Sequence, residues 1–141
     1  MKERIVQGQG FSFRAPAGWK VERRGAELLV SDGTDLLSVT RYPLLRRFRP
    51  QQWAKVVPEL DRAAAALAGQ QSGGSADAQT VTVGGQRARR YDVLYERDGK
   101  KLTERITFVL REKTEYLLLC RYDRGGSTDA CDRLLATFTL G

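Results

Sequence analysis

The sequence predicts an α+β fold in which an antiparallel β-sheet is flanked by helices on both faces, an α/β/α sandwich. Three observations carry this expectation. Much of the chain alternates apolar and polar residues with the period of two that half-buried strands require. One stretch beginning at Pro50 changes to helical spacing. The run YLLLCRY, residues 116–122, is apolar on both faces, so it needs cover on two sides and belongs at the centre of a sheet.

Phe11 and Phe13 alternate across Ser12, Ala-Pro-Ala-Gly at 15–18 makes a corner, and Trp19 and Val21 resume the alternation. Two short strands around that corner follow. Residues 27–31 read as a third strand, Asp32-Gly33 as a turn, and residues 36–42 as a fourth, with Leu37 and Val39 set against Ser38 and Thr40. Past Pro50, Trp53, Val56, Val57, Leu60, Ala64 and Leu67 share one helix face, and Lys55, Glu59 and Arg62 fall on the other. Pro58 lies inside this helix and is expected to kink it near Ala54 or to begin a second segment. Residues 69–78, GQQSGGSADA, read as the most flexible loop.

The second half pairs residue by residue. With Asp98-Gly99 as a two-residue turn, Tyr95 faces Leu102, Val93 faces Glu104, Tyr91 faces Ile106 and Arg89 faces Phe108. The opposite side then sets Glu96 against Lys101 and Asp92 against Arg105, cross-strand ion pairs contributing ~0.2–1 kcal/mol each. A turn over residues 112–115 would bring Leu110 to Leu117 and Phe108 to Leu119. The long helix is expected to cover one face of the 116–122 strand. A short helix over 128–135, presenting Cys131, Leu134, Leu135 and Phe138, covers the other, and a last strand spans 137–140. Residues 1–10 are expected to be a flexible lead-in to a single domain over 11–141.

Composition narrows the function classes. Apolar residues make up 41% and charged residues 29%, the balance of a globular domain. Lys and Arg total 24 against 17 acids, a net charge of +7 spread without long runs of one sign. Such a surface attracts acidic proteins, anionic membranes or nucleic acid, or is simply well solvated. Histidine is absent, which removes the commonest general base near neutral pH and excludes a Ser-His-Asp system. The Gly-containing stretches lack the phosphate-loop and dinucleotide fingerprints, and no cofactor is expected. No apolar run approaches the ~20 residues of a membrane span. The start, MKERIVQGQG, has no signal-peptide core. The expectation leans toward the mature domain of an exported protein, lipid-anchored if a leader was removed, and toward the cytoplasm if Met1 is the native start.

Cys120 and Cys131 are the two cysteines. The register aims both thiols into the layer between the central strand and the terminal helix. A disulfide closing the ten-residue loop would stabilise the fold by about 2–3 kcal/mol, and two buried free thiols are the alternative. A metal site lacks partner ligands and CxxC spacing, and a redox pair would sit closer together. Asp129 and Asp132 in the first turn of the terminal helix read as caps. Glu104 falls on the apolar side of its hairpin and is expected to reach water beside an arginine.

Two basic clusters remain. Arg46, Arg47, Phe48 and Arg49, ahead of the long helix, form the candidate partner surface, because arginine interleaved with aromatics suits acidic protein or nucleic acid. Arg87, Arg89 and Arg90, beside Tyr91, have the same character. Against both stands the plainer reading of core aromatics with solvated arginines.

The opening FSF…PxGW motif from Phe11 to Trp19, the hairpin entry VGGQRARRY from Val83 to Tyr91, and the closing LLATFTL from Leu134 to Leu140 resemble the PsbP-like superfamily. That group includes a photosystem extrinsic protein, a Ran-binding import factor, DcrB-like proteins and small bacterial lipoproteins. The resemblance implies an antiparallel sheet with helices on both sides and a non-enzymatic binding or assembly module for a protein partner; a monomer or a homodimer is expected. It carries over no catalytic residue. The readings from other classes are a small-molecule binder or enzyme with a pocket between the sheet and the long helix, and a nucleic-acid-binding domain working through the basic surface.

Overall fold

A computed structural model describes residues 2–70, 74–75 and 78–141, the pair 74–75 through its backbone alone. The fold is mixed α+β, with two antiparallel sheets and two helices among the described residues. The smaller sheet holds β1 (Glu3–Gln7), β2 (Phe11–Pro16) and β10 (Thr139–Leu140), with β2 in the middle. The larger runs in the order β3 (Lys20–Arg24), β4 (Glu27–Asp32), β5 (Asp35–Phe48), β9 (Lys100–Asp123) and β8 (Gln86–Arg97). Along the outer edge of β8 lie β6 (Gly74–Ser75) and β7 (Gln79–Val83). Helix α1 (Trp53–Gln70) follows a single 3-10 turn at Pro50–Gln52, and α2 (Asp129–Thr137) precedes β10.

The β8–β9 hairpin forms in the register the side-chain pattern demands. Tyr95 faces Leu102, Val93 faces Glu104 and Tyr91 faces Ile106, with Glu96 opposite Lys101 and Asp92 opposite Arg105. One slip would put the aromatic residues in water and break both charge pairs. The latter pair is closed by an Arg105 Nε to Asp92 Oδ1 hydrogen bond of 2.9 Å.

Although β9 is continuous extended backbone, it cannot be straight. The Arg124 N–H donates to the Lys101 carbonyl at 2.9 Å, whereas 23 residues of straight strand would separate the two by roughly 75 Å. The chain therefore doubles back midway, between residues 112 and 113, where Glu112 has a left-handed φ of 54°. Counting out from Lys101 and Arg124 sets Phe108 opposite Leu117 and Leu110 opposite Glu115. This corrects the expected pairs, Leu110 with Leu117 and Phe108 with Leu119. A two-residue reversal replaces the four-residue one because Glu112 takes the positive φ that a tight hairpin needs. The returning limb pairs with β5, Leu37 opposite Cys120 and Val39 opposite Leu118, which makes it central.

Two cores result. Val30, Val39, Leu118, Cys120 and Leu134 pack with Phe11, Phe13 and Ala15 of the small sheet. On the opposite face, Leu60, Ala64 and Ala68 of α1 pack on Tyr91, Val93, Ile106 and Phe108. Helix α1 thus belongs to one core, and the three-stranded sheet and α2 belong to the other. The small sheet is an element that the expected arrangement of one sheet with helices leaves out.

Residues 1–10 are not simply a lead-in, because β1 pairs with β2 from Glu3–Pro16 to Gln7–Ser12 and buries Val6. Ile5 points outward and Val6 inward, too short an alternation to read as a strand without its partner. Helix α1 runs through Pro58 as one element. Ala54, whose carbonyl loses its partner there, is exposed, so water can take the place of the missing N–H. Of the expected loop at 69–78, α1 takes its first residues and Gly74–Ser75 pairs with β8, while residues 71–73 and 76–77 lie outside the described residues.

Candidate functional site

The basic cluster ahead of α1 is the far end of β5. Beyond Thr40 this strand outruns β4, and between Pro43 and Phe48 its pairing with β9 is interrupted by a bulge. The arm so freed stands beside α1 and encloses a groove of about 590 Å³. Leu44, Phe48, Val56, Leu60 and Leu110 supply apolar lining, and Arg46, Arg47 and Lys55 supply cations. Phe48 packs against the core beneath α1, while Arg46 and Arg47 are exposed. Arg47 Nη1 stands 3.5 Å from the exposed Glu112 carboxylate. Arg49 lies outside the groove lining, and its backbone N–H donates to Gln52 Oε1 at 2.9 Å in the 3-10 turn. Leu45 at the tip of the arm is 101% exposed and Tyr42 44%. Tyr42 is one of the aromatics that the sequence sets beside the basic clusters, whereas sequence reasoning missed Leu45. The signal was the run Tyr42-Pro43-Leu44-Leu45, apolar without alternation and interrupted by a proline that a central strand does not hold.

Glu115, opposite Tyr42 in the β5–β9 register, also lines the groove. Burial holds its carboxyl above the usual carboxylate range. A carboxyl raised in the folded state leaves the protein most stable below its unfolded value, about pH 4.3. That stability is lost as pH rises through the folded value. Glu115→Gln is therefore expected to be more stable than the parent at pH 7 and equal to it at pH 3, measured by paired urea titrations. A difference of the same size at both pH values would assign the effect to packing.

The second basic cluster is structural. Asp61 of α1 accepts from Arg89 Nε at 3.0 Å and from the Tyr91 hydroxyl, so one carboxylate fastens the helix to β8. The Arg89 hydrogen bond holds the Asp61 carboxyl below its ordinary value, and burial pushes the Tyr91 phenol up. Arg90 donates to Gln79 Oε1 at 2.9 Å. Tyr91 is core, and Arg87 alone of the three arginines is exposed, the other two being half-buried.

Cys120 and Cys131 form a disulfide with Cα atoms 5.6 Å apart, joining the returning limb of β9 to α2. A second cavity, about 390 Å³, lies beside this bridge and is lined by Pro16, Trp19, Leu36, Asp35 and Arg121 among others. Burial, with Asp123 and Asp32 nearby, raises the Asp35 carboxyl. Glu104 differs from expectation: it is 6% exposed and accepts from the Tyr95 hydroxyl at 3.1 Å. The returning limb of β9 flanks the hairpin where water was expected, so a phenol rather than an arginine satisfies the carboxylate. The helix-start acids also differ, since α2 has no side-chain cap hydrogen bond. Asp132 instead accepts from the Thr128 hydroxyl at 2.9 Å and from Arg105 Nη1 at 3.3 Å, tying α2 to the Asp92–Arg105 pair. No cluster of His, Cys, Asp and Glu suited to a metal ion occurs among the described residues. No helix among them is long and apolar enough to cross a membrane.

No protein-family model matches the chain, and no curated protein matches it by sequence. By fold it is similar to a crystal structure from Bacteroides thetaiotaomicron VPI-5482, with a TM-score of 0.71 and 15% identity. That match covers 99% of this chain and 48% of the other, so the chain spans about half the length of that protein. It is also similar to LpqN, involved in cell envelope biogenesis of Mycobacterium tuberculosis, with a TM-score of 0.58 and 14% identity over 99% of this chain and 90% of LpqN. At these identities the likeness is one of fold.

Proposed function

We propose that the chain is a non-enzymatic PsbP-like binding domain of the cell envelope, which takes an apolar segment of a protein partner, flanked by acidic residues, into the groove between α1 and the β5 arm. The groove is the observation that carries this reading. Its lining is mostly apolar, Arg46, Arg47 and Lys55 outnumber the carboxylates Glu59 and Glu115 on it, and a fully exposed leucine occupies the tip of the arm. An apolar surface rimmed by charge is the usual form of a protein-recognition site. The net charge of +7 draws acidic partners toward it. The disulfide suits an oxidising compartment, and the fold shared with LpqN supports an envelope role. Within this reading the layers form a variant of the α/β/α sandwich, with the small sheet sharing the cover with α2.

Isotope-labelled protein titrated with short peptides of Leu and Phe, flanked by either Asp/Glu or Lys, tests the proposal by NMR. Acid-flanked peptides are expected to shift Leu44, Leu45, Phe48 and Val56. Arg46→Glu with Arg47→Glu is expected to weaken binding roughly tenfold at low salt. Shifts confined to the cavity beside the disulfide, or indifferent to the sign of the flanking charge, would overturn it.

A further inference from the structure

Every open sheet has edges that invite pairing with another chain, and proteins usually blunt them with charge, proline or brevity. Three of the edges here are blunted. β3 carries Lys20, Glu22, Arg23 and Arg24. β1 carries Glu3 and Arg4, both engaged, with Arg133 and with the Trp19 carbonyl. β10 is two residues long. β7 differs. Its sequence, QTVTV, has neither charge nor proline, and Gln79, Thr80 and Thr82 are exposed.

The hairpin joining β7 to β8 fixes which backbone groups face outward. Gly84 and Gly85, with φ of 60° and 76°, form a two-residue loop closed by Val83 and Gln86. Bond exchange then recurs at Val81–Ala88 and Gln79–Arg90, so the N–H and C=O groups of Thr80 and Thr82 point away from β8. Among the described residues no backbone group meets them.

We infer that β7 is the docking edge of a homodimer, in which two copies pair their β7 strands antiparallel about a two-fold axis at Val81. The occupant is argued from the sequence of the edge, because Thr80-Val81-Thr82 is its own reverse. Antiparallel pairing sets Thr80 opposite Thr82 of the second copy, which satisfies all four outward groups on each strand. It also stacks the two Val81 side chains on the face where Val81 and Val83 already border the inter-sheet core. The two-fold relation is self-complementary, as an isologous interface requires, and the larger sheet continues unbroken from one copy into the other.

Charge opposes this contact without forbidding it. Each copy carries a net charge of +7, and the Arg90 guanidinium reaches over β7 to Gln79, so like charge faces like across the new seam. Salt screens that repulsion, so added salt should strengthen association, the opposite of its effect on a complex with an acidic peptide. One short strand pair buries little area, so the dimer is weak, with a Kd on the order of 100 μM.

Sedimentation from 10 μM to 1 mM is expected to show a monomer passing to a dimer, more so at higher salt. Over the same range the Thr80 and Thr82 amides are expected to become protected from hydrogen exchange, while Val81 is protected throughout. Thr82→Pro removes an outward N–H without touching the β8 ladder and is expected to abolish dimerisation, whereas Thr82→Val keeps it. A monomer at 1 mM, association unchanged by Thr82→Pro, or Thr80 and Thr82 amides that exchange freely in the dimer would each overturn the inference. Should Thr82→Pro fail to fold, the exchange of the wild-type amides decides. Protection that arises only on adding a foreign peptide would assign the edge to another partner and overturn self-pairing.

Discussion

Phe11→Ala is expected to lower the unfolding free energy by about 3–5 kcal/mol, and the thermal midpoint by roughly 10 °C. Phe11 is 2% exposed and joins three elements. Its ring lies 5.6 Å from that of Phe138 beyond α2, 6.3 Å from Phe13 on its own strand, and 6.0 Å edge-on from Tyr116 on the returning limb of β9. The backbone of Gly8 rests directly against the ring, leaving no room for a Cβ. Truncation therefore opens a cavity between two sheets whose positions are set elsewhere, by the β1–β2 ladder and the β5–β9 ladder, so the site can collapse only in part. Urea denaturation followed by tryptophan fluorescence measures the loss. Ile5→Ala, at a position 60% exposed on the neighbouring strand, is the control and should fall within about 0.5 kcal/mol of the parent. A loss below about 1.5 kcal/mol for Phe11→Ala would mean that the inter-sheet core does not hold the two sheets together.

The role of Phe11 shows which parts of this fold local pattern discloses. The β8–β9 hairpin was readable residue by residue, because a two-residue turn fixes the register and the Asp92–Arg105 and Glu96–Lys101 pairs give an independent check. Helix α1 was readable because its apolar face recurs over several turns. The small sheet was readable only in part. Its middle strand and the terminal strand were expected, but β1 was not, and because the outer strands, of five and two residues, come from opposite ends of the chain, no local period announces that they share one sheet. Glu104 failed for a related reason. Its burial depends on the returning limb of β9, a neighbour that the hairpin pattern does not contain. In the groove, the arginines were legible as composition. The exposure of Leu45 was not, since it depends on how far β5 outruns β4.

Replacing Cys120 and Cys131 together by alanine is expected to cost about 2–3 kcal/mol, and a reducing agent should cost the parent the same amount while leaving the double variant unaffected. The bridge spans eleven positions, and at that length the stabilisation comes chiefly from restricting the unfolded chain. Alanine leaves only a small void at either site, so cavity formation adds little to the loss. The folded state keeps other ties on α2, in the fully buried Leu134 and in the ion pair from Arg133 Nε to Glu3 Oε2 at 2.6 Å. The double variant should therefore fold, with α2 and β10 exchanging their amides faster than the β8–β9 hairpin. Equilibrium urea curves with and without reductant, together with thiol titration of the unfolded protein, measure both effects. Two free thiols in protein purified without reductant would remove the staple and with it the argument for an oxidising compartment, while leaving the groove and the β7 edge to be judged on their own tests.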